Sequence, residues 1–461
     1  MAISKLSRAN MGRSIRHSLQ FYFTATVRTL LIIFVGTLLL TNSAFNQGPR
    51  TTTTRGAIRN TVNPIQHIIF MIKENRSFDS MFGTFPGANG ATTYPDPQGV
   101  IHPLNHQPNQ IFSDINHAHD GYLTAYDKGK MDGFSRLHGA IQNGVDEADS
   151  QFYQSDIPNY WSYASTFAIA DDFFSTISGS SFPNHLYTIA GEDANAIAIP
   201  KSNHYNPSHE WGCDEPAGTT VEQLFPDGSI QNVFPCFDFP TLADLLDAQN
   251  ISWKFYTNLN GTPLDTYDAI KHIRYGPDWT AHRSNWTNFA SDAASGNLPT
   301  VSWLLMPFQY SDHAPHSVCI GENETVQMIN AVMSNATLWS SSAIFLTWDD
   351  FGGFYDHVIP PSGPNPQIQF GFRVPAIIIS PYAMPGYVDH TMYSFPSLLK
   401  FTEDTLGLPY LSSIDPNSID GQANDMFNAF NFNQTPLPPL TLNLRTCPAE
   451  KPYATAADDT D

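Results

Sequence analysis

The sequence predicts an α/β protein with a mostly parallel central sheet. Five short apolar runs have the length of buried strands, helical patterns lie between them, and 461 residues are enough for a large core. The predicted strands are 65–72, 251–256, 300–305, 343–348 and 374–380. The predicted helices are 241–249, 325–339 and 394–406, with Thr241 and Thr325 as N-caps.

Two stretches between these elements are predicted to be long loops over the sheet. They are 84–125 and 195–240, and both are rich in Pro, Gly, Asn and His. Because long loops in a compact domain are commonly functional, we expect them to lie beside a binding or catalytic site.

The charge of the chain excludes one class of partner. It has 22 Lys and Arg against 43 Asp and Glu, a net charge of −21. The first 60 residues contain eight of the basic residues and no acid, so the rest of the chain is more acidic still. Such a body repels phosphate backbones, and we expect no nucleic-acid partner.

The amino terminus has the pattern of an export signal. A basic stretch ending at Arg28 precedes an apolar run over 29–41, and small residues follow at Ser43 and Ala44. This run is shorter than the roughly 20 apolar residues of a spanning helix unless it borrows from 21–27. We expect a cleaved signal peptide over 1–44, with an uncleaved membrane anchor as the alternative, and a linker over 45–61. The protein is then secreted or extracytoplasmic.

Four cysteines, at positions 213, 236, 319 and 447, allow three pairings in an exported chain. The pairing of Cys213 with Cys236 is the most local one, and four unpaired thiols are the alternative. We expect at least one disulfide. A bridge from Cys447 would fix the polar, Pro-rich C-terminal tail predicted over 411–461.

Polar side chains follow two of the predicted strands. Glu74 and Asn75 come after strand 65–72, and Asp349 and Asp350 come after strand 343–348. Adjacent carboxylates repel each other unless a cation or a proton lies between them, and oxygen ligands suit a hard divalent ion. Parallel sheets bind ligands at the carboxyl ends of their strands. The sequence therefore predicts a metal site here, with helix caps or solvated turns as the alternative.

A small-residue turn presents hydroxyl groups before a predicted helix start at Pro183. A hydroxyl at a helix N-terminus, such as that of Ser181, is well placed to attack phosphorus. An ordinary helix cap is the alternative. No GxSxG elbow or phosphate-binding P-loop occurs in the chain, which disfavours hydrolases and nucleotidases of those types.

Three segments together resemble the bacterial phosphoesterase family, which contains non-specific phospholipases C and acid phosphatases. They are QHIIFMIKENRSFD over 66–79, SFPN over 181–184 and TWDDFGGFYDHVIPP over 347–361, in the family's order. The resemblance covers about 62–410, the predicted catalytic domain. It implies an alkaline-phosphatase-like three-layer α/β sandwich with a mostly parallel sheet and long active-site loops.

The resemblance also implies roles for individual residues. Ser181 falls on the nucleophile, and its oxygen is expected to touch one divalent metal ion of unknown identity. The remaining metal ligands are expected to be Glu74, Asn75, Asp349 and Asp350. His117 and His313 are expected to be catalytic, and His119, His185 and His272 are expected to bind substrate. Asp356 and His357 are expected to have a structural role.

The chain departs from the family pattern at two positions. His185 stands where many members have Arg, which is a bidentate phosphate ligand, and Asp350 stands where many have Glu. The first change bears on headgroup preference and the second on metal identity.

The expected function is a secreted, metal-dependent phosphoesterase that works through a phosphoserine, of the acid phosphatase or phospholipase C type. Its substrate is a phosphate monoester or a phospholipid headgroup. Whether it contacts membranes peripherally, and its oligomeric state, stay open. The alternatives are a phospholipase C acting on phospholipids only and a non-catalytic surface protein with the same fold. A sulfatase is disfavoured because no Cys-x-Pro-x-Arg motif occurs.

Overall fold

An eight-stranded sheet forms the centre of the protein in the computed structural model, which describes residues 63–202, 211–259, 264–363 and 367–453. In chain order its strands are β1 (His67–Lys73), β2 (Ala168–Ala170), β3 (Trp253–Thr257), β4 (Arg283–Asn285), β5 (Val301–Leu305), β6 (Ser342–Trp348), β7 (Ala376–Ile379) and β8 (Tyr387–Asp389). The spatial order is β4-β3-β5-β1-β6-β7-β2-β8. Only β7 runs antiparallel to its neighbours in this sheet, so the predicted α/β class with a mostly parallel sheet is confirmed.

Twelve α-helices surround the sheet in the described residues. They are α1 (Phe78–Phe82), α2 (His119–Tyr126), α3 (Pro158–Thr166), α4 (Ser181–Ala190), α5 (Leu242–Ala248), α6 (Lys271–Arg274), α7 (Asp278–Ala281), α8 (Asn288–Ser295), α9 (Phe308–Ser311), α10 (Val318–Ser334), α11 (Ala336–Trp339) and α12 (Phe395–Leu406). The central strands β1, β5, β6 and β7 are buried along almost their whole length. Because successive side chains of a strand point to opposite faces, both faces of the sheet are covered.

Short ribbons and 3₁₀ turns make up the remaining regular structure. The ribbons pair Thr93–Pro95 with Ile101–Pro103, Asn105–His106 with Ser150–Gln151, Ile141–Gln142 with Val145–Asp146, Phe173–Phe174 with Tyr393–Ser394, and Val221–Leu224 with Ile230–Val233. The 3₁₀ turns are Asp127–Gly129, Phe134–Arg136, Thr266–Ala269, Leu411–Ser413, Asp420–Gln422 and Phe427–Ala429.

One predicted N-cap is correct and the other is wrong. Thr241 caps α5 in a capping box with Asp244. Thr325 lies inside α10, where its hydroxyl donates to Gly321 O (2.9 Å), and the helix begins seven residues earlier with Ser317 as its cap. A hydroxyl that bonds back to the preceding turn is compatible with a helix interior, so the residue type alone did not locate the helix start.

Two apolar cores stabilise the fold. The larger one contains the sheet, and a second cluster, including Ile115, Tyr122, Phe134, Phe354 and Phe372, lies under the long loop that carries His117. This second cluster gives the loop a rigid base. No helix in the described part of the chain is both long and apolar enough to cross a bilayer.

The cysteines form two disulfides, Cys213–Cys236 and Cys319–Cys447. The expectation of at least one bridge is therefore confirmed. The second bridge ties the C-terminal segment to α10. Leu411 and Phe430 of that segment are buried in the larger core, and the domain boundary at residue 410 stays a prediction. The expected signal peptide and linker lie outside the described residues.

Candidate active site

The two predicted ligand pairs meet at the carboxyl edge of the sheet. β1 and β6 are neighbours whose last residues pair in register, so the residues that follow them leave the sheet side by side. The backbone N–H of Asn75 donates to Asp349 Oδ1 (2.9 Å). Glu74, Asn75, Asp349 and Asp350 are all fully buried. The structure thus brings together four side chains that are about 275 residues apart in sequence.

Asn75 has a left-handed backbone conformation, with φ of 61°. Asn tolerates this region better than most residues. Gly352, after the second ligand pair, also has positive φ, and a Cβ atom there would lie 2.3 Å from Asn75 O. Glycine at 352 therefore lets the two ligand segments approach each other.

Ser181 is the first residue of α4, and its side chain points at the ligand pairs. Its hydroxyl donates to Asp350 Oδ2 (3.1 Å) and lies 3.4 Å from Asn75 Oδ1. Ser181 is fully buried at the start of a ten-residue helix. Free backbone N–H groups at such a helix start stabilise a phosphoryl group.

Asn184 fixes the turn that precedes the helix. Its Nδ2 donates to the carbonyl oxygens of Ile177, Gly179 and Ser180 (3.1–3.3 Å), and its Oδ1 accepts from Ile177 N (3.2 Å). Side-chain bonds of this kind replace the backbone pairing that the turn lacks. The SFPN motif contained this residue, but sequence reasoning gave it no role.

His185 lies among the carboxylates. Its Nε2 donates to Glu74 Oε1 (3.0 Å) and is 3.6 Å from Asp349 Oδ2. Burial alone lowers the pKa of His185, but the two carboxylates outweigh burial and raise that pKa to about 10. Burial raises the pKa of Asp349, and the interaction with His185 outweighs it and lowers that pKa to about 2. His185 thus contacts the predicted ligand carboxylates Glu74 and Asp349, and its expected contact with a substrate phosphate stays a prediction.

His117 and His313 lie on the other side of Asn75. Asn75 Nδ2 donates to His117 Nε2 (2.9 Å), and His117 Nδ1 donates to Ile115 O (2.6 Å). The centroids of the two imidazole rings are 6.0 Å apart. His313 Nδ1 donates to Ala314 O. Nε2 is then the ring nitrogen that is left to exchange a proton with a substrate.

The remaining two predicted histidines have different surroundings. His119 begins α2, and its Nδ1 donates to Ser178 O in the turn before Ser181. His272 bonds to Asp238 (2.7 Å) and Asp244 (3.0 Å) through its two ring nitrogens. The structure therefore places His119 beside the site and engages His272 in a surface ion pair.

The donor atoms fit a hard divalent ion. Glu74, His185 and Asp349 offer ligand atoms that all lie within 4.8 Å of one another. Within the described residues, no hydrogen bond reaches the buried Asp349 Oδ2. A buried carboxylate oxygen without a donor is costly unless a cation binds it. Asn75 and Asp350 add further oxygen atoms, the ligand type that hard ions prefer.

A buried lysine holds the loop that carries His313, and sequence reasoning missed it. Lys73 Nζ donates to Tyr310 O (2.6 Å) and Gly321 O (3.1 Å) and is 3.6 Å from Asp312 Oδ1. Tyr160 donates to Asp312 Oδ2 (2.7 Å). The contact of Lys73 with Asp312 was not predictable from the sequence, because the two residues are far apart in the chain and only the fold brings them together.

Asp356 and His357 have structural contacts. Arg373 donates to both oxygens of Asp356 (3.0 Å each), and His357 Nδ1 donates to Asp79 Oδ2 (2.6 Å). This buried network joins the first and third sequence motifs.

A model of the phosphoesterase family matches residues 65–409. The chain belongs to the phosphoesterase family. It is accordingly a hydrolase of phosphoric ester bonds, as the three motifs predicted.

Curated relatives of this phosphoesterase include phospholipases C. Phospholipase C B of Mycobacterium tuberculosis is 25% identical over 438 residues, which cover 81% of this chain and 79% of the relative. Non-specific phospholipase C1 of Arabidopsis thaliana is 26% identical over 370 residues, which cover 71% of this chain and 62% of the relative. Among solved structures, a protein in the alkaline phosphatase superfamily from Vibrio parahaemolyticus aligns with this chain at a TM-score of 0.33 and 10% sequence identity. The alignment covers 78% of this chain and 69% of that protein.

Proposed function

We propose that this phosphoesterase is an exported, metal-dependent enzyme of the phospholipase C or acid phosphatase type that works through a phosphoserine at Ser181. The observation that carries the proposal is the position of the Ser181 hydroxyl, at a helix N-terminus and 3.1 Å from Asp350 Oδ2. The phospholipase C relatives support the lipid class of substrate.

The proposed ligands of one divalent ion are Glu74, Asn75, Asp349, Asp350 and Ser181, and Glu74 and Asp349 offer ligand atoms within 4.8 Å of each other. Such an ion lowers the pKa of a nearby hydroxyl and polarises the phosphoryl group. His185 and the carboxylates are buried beside Ser181, and we infer that they form the polar wall of the pocket that would bind the ester.

In the first half-reaction the Ser181 hydroxyl passes its proton to Asp350 Oδ2, which accepts its hydrogen bond and later returns that proton. The Ser181 oxygen forms a bond to phosphorus while the bond from phosphorus to the leaving alcohol breaks. N–H groups at the start of α4 stabilise the phosphoryl oxygens. His117 or His313 donates the proton that the leaving oxygen takes up. In the second half-reaction a water molecule attacks phosphorus, a histidine accepts its proton, and phosphate or a phosphorylated headgroup leaves as Ser181 regains its hydrogen.

Export is part of the proposal, and the two disulfides support it. Disulfides persist in oxidising compartments and are rare in the cytosol. The basic and apolar pattern of the first 44 residues also supports it.

The function is tested by assaying the purified protein on p-nitrophenyl phosphate and on phosphatidylcholine, with and without a chelator. We expect hydrolysis of at least one substrate, loss with chelator and recovery with a divalent ion. Release of diacylglycerol identifies the phospholipase C type, and release of inorganic phosphate from the monoester identifies the phosphatase type. Inactivity on both substrates after metal is restored would overturn the proposal.

A further inference from the structure

A second group of ligand-type side chains lies at the opposite edge of the sheet. Asp247 is in α5, Asp278 begins α7, and His282 directly precedes β4. Trp253, which contacts Asp247 and His282, begins β3. Because β3 and β4 run parallel to each other and β3 is joined to β1 through the parallel strand β5, their amino ends lie away from the edge that carries Ser181.

The imidazole ring of His282 is held in one orientation. Its Nδ1 donates to Trp253 O (2.9 Å), and its ring stacks on the indole of Trp253 with centroids 4.1 Å apart and 9° between the planes. Nε2 therefore faces Asp247 Oδ1 and Asp278 Oδ1, each at 3.9 Å. Metal-binding histidines commonly donate their other ring N–H to a backbone carbonyl in this way.

The two distances of 3.9 Å are too long for hydrogen bonds. Bond lengths of about 2.0–2.2 Å to zinc place neighbouring ligand atoms about 3–3.5 Å apart. The three ligand atoms lie within 4.8 Å of one another, so they must move about 0.5 to 1.5 Å closer to complete the site. Asp278 and His282 are separated by four positions, a spacing that places two ligands on one side of a helical turn. Asp247 Oδ1 also accepts a hydrogen bond from Trp253 Nε1 (2.8 Å), which fixes the position of this carboxylate.

The surface ion pair of His272 provides a contrast inside the same molecule. His272 also lies between two aspartates, but each ring nitrogen donates directly to one of them, at 2.7 and 3.0 Å. Both nitrogens then carry hydrogen, and the hydrogen bond that His272 donates to Asp244 raises the pKa of His272 to about 9. A doubly protonated ring has no lone pair for a metal. His282, in contrast, uses only Nδ1 in a hydrogen bond to the described residues.

We propose that Asp247, Asp278 and His282 bind a zinc ion, separate from the catalytic metal. One imidazole and two carboxylates are ligands that zinc accepts, and their partial exposure leaves the fourth position to water. The ion would join α5, α7 and the start of β4. Its role is to stabilise this edge of the sheet.

The test adds zinc to metal-free wild-type protein and to metal-free variants. Calorimetric titration and elemental analysis then give the number of zinc ions bound per chain. We expect His282→Gln and Asp278→Asn each to bind one zinc ion fewer per chain than wild type. The matched control is His272→Gln, which should bind as many as wild type. Phosphatase activity should be unchanged in His282→Gln and Asp278→Asn, because neither residue contacts the Ser181 site.

Equal zinc binding by wild type and the folded His282→Gln variant overturns the proposal. If His282→Gln does not fold, Asp278→Asn decides in the same way, since Asp278 is partly exposed. Loss of a zinc ion in His272→Gln also counts against the proposal, because the ion then belongs to a different cluster.

Discussion

Asn75 and Asp349 are joined by a hydrogen bond of 2.9 Å from the backbone of one to the carboxylate of the other, although 274 positions separate them. The bond uses Asp349 Oδ1 and leaves Oδ2 directed at the ligand cluster, without a hydrogen bond from the described residues. One oxygen of Asp349 therefore has a structural contact, and the other is placed as a candidate metal ligand.

The first prediction concerns this carboxylate. Asp349→Asn removes a negative charge from the proposed metal site, so metal affinity should fall by more than the roughly 10–100-fold typical of residues behind the ligands. Metal content after dialysis and the activity at rising metal concentration measure the effect. The exposed Asp227→Asn is the control, and unchanged metal content in Asp349→Asn would remove this residue from the ligand set.

The second prediction concerns the turn before the nucleophile. Asn184→Ala deletes the side-chain bonds to Ile177, Gly179 and Ser180, each to a buried carbonyl oxygen. We expect stability to fall by about 1–3 kcal/mol and kcat to fall, with metal content unchanged. Denaturant unfolding and steady-state kinetics measure both effects. Exposed Asn433→Ala should change neither, and full kcat in Asn184→Ala would show that the turn is fixed by other contacts.

The third prediction distinguishes two effects of replacing a glycine: strain of its own backbone, and collision of the new side chain with a neighbouring segment. Gly352→Ala places a Cβ atom 2.3 Å from Asn75 O, whereas Gly99, which also has positive φ, has no atom within 4 Å of the corresponding position. Both changes strain the backbone, but only Gly352→Ala pushes the ligand segments apart. We therefore expect loss of activity in Gly352→Ala and near-normal activity in Gly99→Ala. Equal activity of the two variants would contradict the tight approach.

The fourth prediction concerns pH. Glu403 is fully buried on α12, and burial together with neighbouring Asp420 raises its pKa from 4.5 to about 9. The folded state therefore holds a proton that the unfolded state releases at lower pH. The stability that Glu403 contributes is fully present below a pH of about 4.5 and is lost as the pH rises towards 9. The Tm should fall over that window.

Glu403→Gln keeps the side-chain oxygen that accepts from Leu411 N and removes the titratable proton. Its Tm should depend less on pH between these values than that of wild type, while exposed Glu450→Gln should retain the wild-type dependence. Identical pH profiles for Glu403→Gln and wild type would assign the pH dependence to other groups.

Much of the site was predictable because local patterns sufficed. Glu74 and Asp349 follow strongly apolar strands, and parallel neighbours bring their carboxyl ends together. The strands β2, β4 and β8 were not predicted, since three residues carry too little periodicity. The contacts of His185 with Glu74 were not predictable either, because they depend on how α4 packs beside β1. For the same reason, the ion pair of His272 with Asp238 and Asp244 was not predictable from the sequence.

The proposed mechanism requires that Ser181 becomes phosphorylated during turnover. The most direct measurement is rapid acid quenching of the enzyme with excess p-nitrophenyl phosphate, followed by peptide mass spectrometry. We predict one phosphoryl group on Ser181, absent from Ser181→Ala, which should also lose at least ~10³-fold in activity. Phosphate on Ser178 or Ser180, or Ser181→Ala retaining more than about a tenth of wild-type turnover, would contradict the claim.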